Sequence, residues 1–276
     1  MAVEHVVIAG KSGVGRSTTA ANLAAVLAEE GFRVALIGYE RYSNSTVPLR
    51  GSTPLLPVPG WPGSGGAPHY AHGYRGVLCI EAGESAVATG GTEAASLLKQ
   101  SLLTGYRPDF VLHDLSQEPG PSFRLPVATD GVMRVLAVTT ADMTAIQAVN
   151  DLFAWLNTVS AVNCSFGGVV ANNLSGPLYE SIVSDFAAEA GTSVAAKISH
   201  SLMVYVSDVY TTTVVQSAPH SHLAYAFRRL AQGLLRPESV ARPKHLQTAA
   251  LKRWSLKWGD IISELETGVV SNGSGI

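Results

Sequence analysis

The strongest constraint on this chain lies near its N-terminus. An apolar, β-branched run from Glu4 to Ala9 meets the turn Gly10-Lys11-Ser12-Gly13-Val14-Gly15-Arg16-Ser17-Thr18, which opens into an alanine-rich helical stretch from Ser17 to Glu30 that stops at Gly31. A second strand, Arg33 to Tyr39, follows after only Gly31 and Phe32, so strand, helix and strand form a βαβ unit whose crossover places two parallel strands in one sheet. Glycines in such a turn let consecutive backbone N–H groups face inward and cradle phosphate oxygens. The helix adds the positive end of its dipole, and the Ser17 hydroxyl is available to Mg²⁺. The expected ligand is a nucleotide with Mg²⁺, held by residues 10 to 18. A turn without phosphate duty is the plainer reading, but the flanking strand and helix argue against it.

The pattern GxxxxGK[ST] is met except at Arg16, where a lysine belongs. Lysine is a compact charge that bridges β- and γ-phosphates, whereas guanidinium is broad and planar, so binding is expected to survive better than hydrolysis.

Further along, strand-like runs at Gly76 to Ala82, Asp109 to Leu115, Met133 to Thr140 and Phe166 to Asn172 alternate with helical stretches at Glu93 to Leu103 and Met143 to Val159. A helix at Leu178 to Ala190, a short strand at Thr192 to Ile198 and a helix at Ser221 to Leu235 complete an α/β fold, a doubly wound and mostly parallel sheet with helices on both faces. Between Val47 and Gly76, 13 of 30 residues are Gly or Pro, which predicts a long irregular loop. Residues 1–236 are read as one nucleotide-binding domain. Residues 237–276 are read as a linker containing ESVARPKH, a helix at Leu246 to Leu265 with Trp254 and Trp258 on one face, and a disordered SNGSGI tail. The tryptophans are expected to pack onto the parent domain, with a partner or dimer contact as the alternative.

A net charge of −2 with 14% charged residues offers no broad basic face, so no nucleic acid is expected. No apolar run reaches the ~18 residues of a membrane span, and glycine-rich sequence begins too early for a signal peptide. A soluble, cytoplasmic protein that does not bind membrane is therefore expected. Cys79 and Cys164, the only two cysteines, sit in strand-like apolar runs and are read as core residues. His69, His72, His220 and His222 lack nearby Cys or carboxylate clusters and are read as solvated, as are Arg228 and Arg229 on their helix.

The loop KSGVGRST, with its additional Lys11, resembles the KGGxGKST variant of the deviant Walker A ATPases, a group that includes the nitrogenase iron protein, MinD, ParA and the arsenical-pump ATPase. The resemblance is most extensive toward the iron protein and covers about residues 3 to 235, excluding the Pro/Gly-rich loop. GVLCIEAGES resembles the segment leading to that family's first cluster cysteine, DFVLHDLSQE its switch II, and GGVVANN the strand end whose asparagine contacts adenine. The resemblance implies an ATP-gated homodimer in which Lys11 reaches the partner's nucleotide. It further implies that Asp114 holds Mg²⁺ through water, that Glu40 or Glu118 orients the attacking water, and that Asn172 reads adenine.

The departures are as specific as the matches. Where the family writes VGCAGRG this chain writes VATGGTE, with Thr89 at the first cluster ligand and Thr92 at the docking arginine. The second cysteine position falls in Gly120-Pro121-Ser122-Phe123. Hydroxyl and glycine cannot replace soft sulfur ligands, so no [4Fe–4S] cluster is expected. In switch I the aspartate becomes Glu40, the lysine Tyr42 and the second aspartate Asn44, while Glu118 replaces the second aspartate of switch II. Displaced carboxylates imply a slow ATPase at most. The expectation is a nucleotide-dependent switch or accessory protein acting on an unidentified protein partner. The alternatives are a reductase component of a nitrogenase-like system and a MinD or ParA-type positioning ATPase.

Overall fold

The computed structural model describes residues 3–39, 45–59, 68–82, 99–115, 118–120, 123, 132–159, 164–236 and 240–269. Strand β1 (Glu4–Ala9) leads through the glycine turn into α1 (Arg16–Glu29), and Gly31 at φ 91° reverses the chain as its N–H bonds the Ala28 carbonyl. Next come β2 (Val34–Gly38), a helical turn α2 (Val47–Arg50), β3 (Leu56–Pro57), β4 (His69–His72) and β5 (Leu78–Glu81). The chain continues through β6 (Phe110–Asp114), β7 (Val132–Thr139), α3 (Met143–Leu156), β8 (Cys164–Leu174), α4 (Pro177–Glu189) and β9 (Val194–Ser199). It then runs through α5 (Met203–Val209), α6 (Val214–Ser217), α7 (His222–Leu235) and α8 (Thr248–Thr267).

Among the described residues, nine strands form one sheet in the order β3-β4-β5-β2-β6-β1-β7-β8-β9. β1 is parallel to both neighbours, pairing Ile8 with Asp114 of β6 and with Leu136 of β7. Val6, Val7, Ile8 and Ala9 are fully buried because helices cover both faces, which is why the strand reads as a continuous apolar run. Among the described strands, β4 breaks the parallel pattern, pairing antiparallel with β5 and with β3.

Two apolar layers flank the sheet. On one face lies α1, whose Ala20, Ala21, Ala24 and Ala25 are at most 1% exposed and let it sit close to both the sheet and α7. Leu23 and Leu27 are fully buried in the same layer, at about 1.5–3 kcal/mol each. On the other face, Ile146 and Phe153 of α3 meet Phe186 of α4 and Trp254 of α8, with the Phe153 and Phe186 rings stacked at 5.7 Å.

Two expectations change. The segment 47–76 is not wholly irregular: it holds α2, β3 and β4. Its prolines and glycines fall outside His69–His72, which is free to pair with β5. Of the expected helix at 93–103, residues 93–98 lie outside the described residues, and Lys99–Leu103 form a π-helical turn. The described part of the linker, from residue 240, is bonded to the domain. Asn150 on α3 bonds both the N–H and the carbonyl of Leu246, at 2.8 and 2.9 Å, and Lys244 N–H donates to the Ala190 carbonyl at 2.7 Å. This strapping brings α8 onto α4, where the indole N–H groups of Trp254 and Trp258 both donate to Asp185 Oδ2, at 3.0 and 2.7 Å. The tryptophan face is thus turned toward the domain. The SNGSGI tail lies outside the described residues.

Candidate functional site

The loop from Gly10 to Gly15 rises from the C-terminal end of β1, beside the ends of β6, β7 and β8. In open α/β sheets that end is where ligands bind. Two glycines are required by their surroundings. A Cβ on Gly10 would lie 2.3 Å from the Val138 carbonyl oxygen, and one on Gly15, at φ 91°, would lie 2.1 Å from the Asn172 side-chain nitrogen. The loop is therefore clamped between β7 and β8 as it enters α1. Clefts of about 390 and 400 Å³ flank it, the first lined by Lys11, Gly13, Asp142 and Tyr179, the second by Ser17, Asn22, Tyr205 and Thr213.

Several polar groups of the loop are engaged. Ser17 Oγ donates to Asp114 Oδ2 at 2.7 Å, which joins the start of α1 to the end of β6. A hydroxyl and a carboxylate converging at a helix N-terminus form a hard-oxygen donor pair of the kind that suits Mg²⁺. Arg16 is buried at 4% exposure and donates from Nη1 to the Leu115 carbonyl just beyond β6. The side-chain amide of Asn172 donates to the Val14 carbonyl at 2.8 Å, and the Ser12 backbone N–H donates to Glu118 Oε1 at 2.9 Å.

Lys11 is held within its own chain. Its Nζ donates to Thr144 Oγ1 at 2.7 Å, and Thr144 in turn donates to Asp142 Oδ1 at 2.7 Å. Asp142 caps α3, accepting from Ala145 N–H at 3.0 Å. Burial alone would raise its pKa. Hydrogen bonds from Thr140, Thr144 and Ala145, with the charge of Lys11, outweigh burial and hold the carboxyl below its usual value. Sequence reasoning did not single out this cluster, although Asp142 directly before the helical run Met143 onward is a legible cap signal.

Behind Asp114, buried His113 lies between His5, whose Nδ1 is 3.0 Å from His113 Nε2, and Tyr39, whose hydroxyl is 3.1 Å from His113 Nδ1. Burial, and secondarily the charge of His5, holds His113 well below the ordinary imidazole range. Burial also raises the Tyr39 phenol. Residue types alone gave no warning of this series of contacts, because it joins β1, β6 and the residue just after β2 through side chains on one face.

Among the other predicted residues, Glu40, Thr89 and Thr92 lie outside the described residues, as do Pro121 and Ser122. Phe123 is buried edge-on against Trp155. Cys79 and Cys164 are buried in the layers on opposite faces of the sheet, and burial pushes the Cys79 thiol up to about 12. His69, His72, His220 and His222 are exposed, and the described residues contain no cluster of three or more His, Cys, Asp or Glu suited to a metal. Arg228 corrects its expectation: it bonds Glu29 at 3.2 Å and the Pro219 carbonyl, because α7 packs on α1 and brings the two charges together. Among the described residues no helix is long and apolar enough to cross a membrane.

A glycine loop clamped between a central parallel strand and a buried helix, with the serine after it facing a carboxylate on the neighbouring strand, defines a P-loop nucleoside triphosphatase fold. Solved structures of the same architecture include the Pyrococcus furiosus cell division ATPase MinD, with TM-score 0.62, 17% identity and coverage of 85% of this chain and 99% of that one. They also include the septum site-determining protein MinD of Pyrococcus horikoshii complexed with Mg-ADP, with TM-score 0.60, 17% identity and coverage of 85% and 96%. Residues 68–259 match the family described as 4Fe-4S iron sulfur cluster binding proteins, NifH/frxC family, and residues 2–56 match one described as NUBPL iron-transfer P-loop NTPase. The nitrogenase iron protein 2 of Paenibacillus durus is 31% identical over 98% of this chain and 96% of its own length. The chain belongs to the NifH/frxC family, as a divergent member with only two cysteines.

Proposed function

We propose that the protein is an ATP- or ADP-binding homodimer that works as a nucleotide-dependent switch or accessory factor for another protein, without an iron–sulfur cluster of its own. The observation that carries this reading is the contrast between two sites. The phosphate loop is built, with Ser17 and Asp114 converging at its end, whereas the two thiols face opposite layers of the core. Two buried thiols pointing into separate layers do not fit a cluster shared across a symmetric dimer, which needs two accessible thiolates from each subunit.

In this reading the amides of residues 10 to 18 hold the phosphates, and Ser17 and Asp114 hold Mg²⁺, which would supply charge neutralisation on the phosphates. The relative solved with Mg-ADP supports that ligand class. Lys11 reaches the partner's nucleotide once it leaves Thr144. Asn172 contacts adenine by releasing Val14 or by offering its amide oxygen. Glu40 or Glu118 orients water, and hydrolysis is slow because Arg16 is committed to the Leu115 carbonyl. The protein partner is a macromolecule that distinguishes the two nucleotide states, and the site is cytoplasmic.

Calorimetric titration with MgATP and MgADP, paired with iron and acid-labile sulfide analysis of anaerobically purified protein, tests the proposal. Saturable nucleotide binding without stoichiometric iron is the expected result. Absence of nucleotide binding, or about four irons per dimer, overturns it.

A further inference from the structure

The loop's N–H groups exist to receive anionic oxygen, and one of them already does. Ser12 N–H donates to Glu118 Oε1 at 2.9 Å, although the two residues come from opposite walls of the site, one after β1 and the other after β6. We infer that Glu118 is a specificity-determining residue that makes the site favour a nucleoside diphosphate over a triphosphate, an inference that rests on the nucleotide-binding reading above.

The argument is one of position and charge. The helix N-terminus begins at Arg16, and its first amides, with the Ser17–Asp114 pair beside them, form the part of the loop suited to two consecutive phosphates and a cation. Ser12 stands at the other end of the loop, where both it and Glu118 are exposed to solvent. A diphosphate seated on the helix end leaves the Ser12–Glu118 bond intact. A third phosphate extending along the loop brings further negative charge toward the one amide that a carboxylate holds. Two anions cannot share a single N–H donor, and their like charges repel in any case. The triphosphate must therefore displace Glu118 and lose one charge-assisted hydrogen bond.

That bond is exposed, so its loss costs less than the upper end of the range for charged partners. A penalty of about five- to tenfold in affinity follows for the triphosphate. Glu118 can move away at that modest cost because no other bond of its carboxylate is seen among the described residues, and its side chain lies at the surface.

The test compares MgADP with magnesium and a non-hydrolysable ATP analogue by calorimetry on the full chain, in wild type, Glu118→Gln and Glu118→Ala. Wild type is expected to bind the diphosphate about five- to tenfold more tightly than the analogue. Glu118→Ala should bring the two to within about twofold of each other by strengthening the analogue alone, and Glu118→Gln, which keeps an acceptor but loses the charge, should fall between. An unchanged ratio in Glu118→Ala overturns the inference while leaving nucleotide binding in place, as does equal weakening of both ligands. Wild type that binds neither ligand overturns the nucleotide reading itself, and this inference with it.

Discussion

Asn172 and Gly15 occupy almost the same space. The Asn172 side-chain nitrogen donates to the Val14 carbonyl at 2.8 Å and lies 2.1 Å from where a Cβ on residue 15 would be. The end of β8 and the start of α1 are thus locked through a position that tolerates only hydrogen. Gly15→Ala adds both a clash and the strain of a positive φ, so it should lower stability by about 2–4 kcal/mol and weaken MgADP at least tenfold. Adding Asn172→Ala should recover part of the stability, by removing the clash but not the backbone strain. Denaturant melts and calorimetry of the single and double variants check both statements.

Arg16 presents a different case, since its guanidinium is buried and donates to the Leu115 carbonyl. Arg16→Lys shortens the fork to a point charge that reaches phosphate more readily and releases that carbonyl. Phosphate release is expected to rise severalfold, with stability falling by about 1 kcal/mol. Unchanged turnover in a phosphate-release assay would remove the idea that the arginine restrains hydrolysis.

Docking of α8 should be acid-sensitive. Burial favours the neutral form of Asp185, but the hydrogen bonds from Lys257, Trp258 and Trp254 and the charge of Lys257 outweigh it and hold the carboxyl below 3.8. A folded-state value below the unfolded one gives stability that is complete above about pH 4 and is lost as pH falls through the folded value. Tryptophan emission should therefore shift to the red below about pH 4. Asp185→Asn should weaken docking by about 1–2 kcal/mol at neutral pH and abolish most of that acid transition.

A second pH dependence lies nearer neutrality. His113 is held well below its ordinary 6.5 by burial and by His5, so it stays neutral in the folded state while the unfolded chain takes up a proton. Stability is complete above about pH 6.5 and declines as pH falls, by at most about 1.4 kcal/mol per unit. Chemical denaturation at a series of pH values should show this slope. His113→Phe should flatten it, while losing about 1–3 kcal/mol at pH 8 because the Tyr39 hydroxyl forfeits its buried partner.

The central strands were legible because a parallel strand covered on both faces has to be a run of apolar residues, as Val6 to Ala9 and Val34 to Ile37 are. Helix α1 was read within one residue at each end, since the glycines at 15 and 31 mark its limits. The glycine loop between β1 and α1 and the burial of both cysteines were also visible in advance. β4 was not, because a four-residue strand with two exposed histidines has no apolar run to announce it. The short helices α5 and α6 escaped for a related reason: their stretch is rich in Thr and Tyr, without a sustained helical period. Within the site, the bonds of Lys11 to Thr144 and of Ser12 to Glu118 join residues 133 and 106 positions apart. Local pattern cannot specify such pairs, because they follow from how β1, β6 and β7 are laid side by side.

Among the described residues the sheet ends on one side at β3, which is two residues long, Leu56 and Pro57. Proline carries no amide hydrogen, and so short a strand gives an approaching chain almost no ladder to extend. The eight strands behind it would otherwise present a ladder for edge-to-edge association along that border, and this stub terminates it.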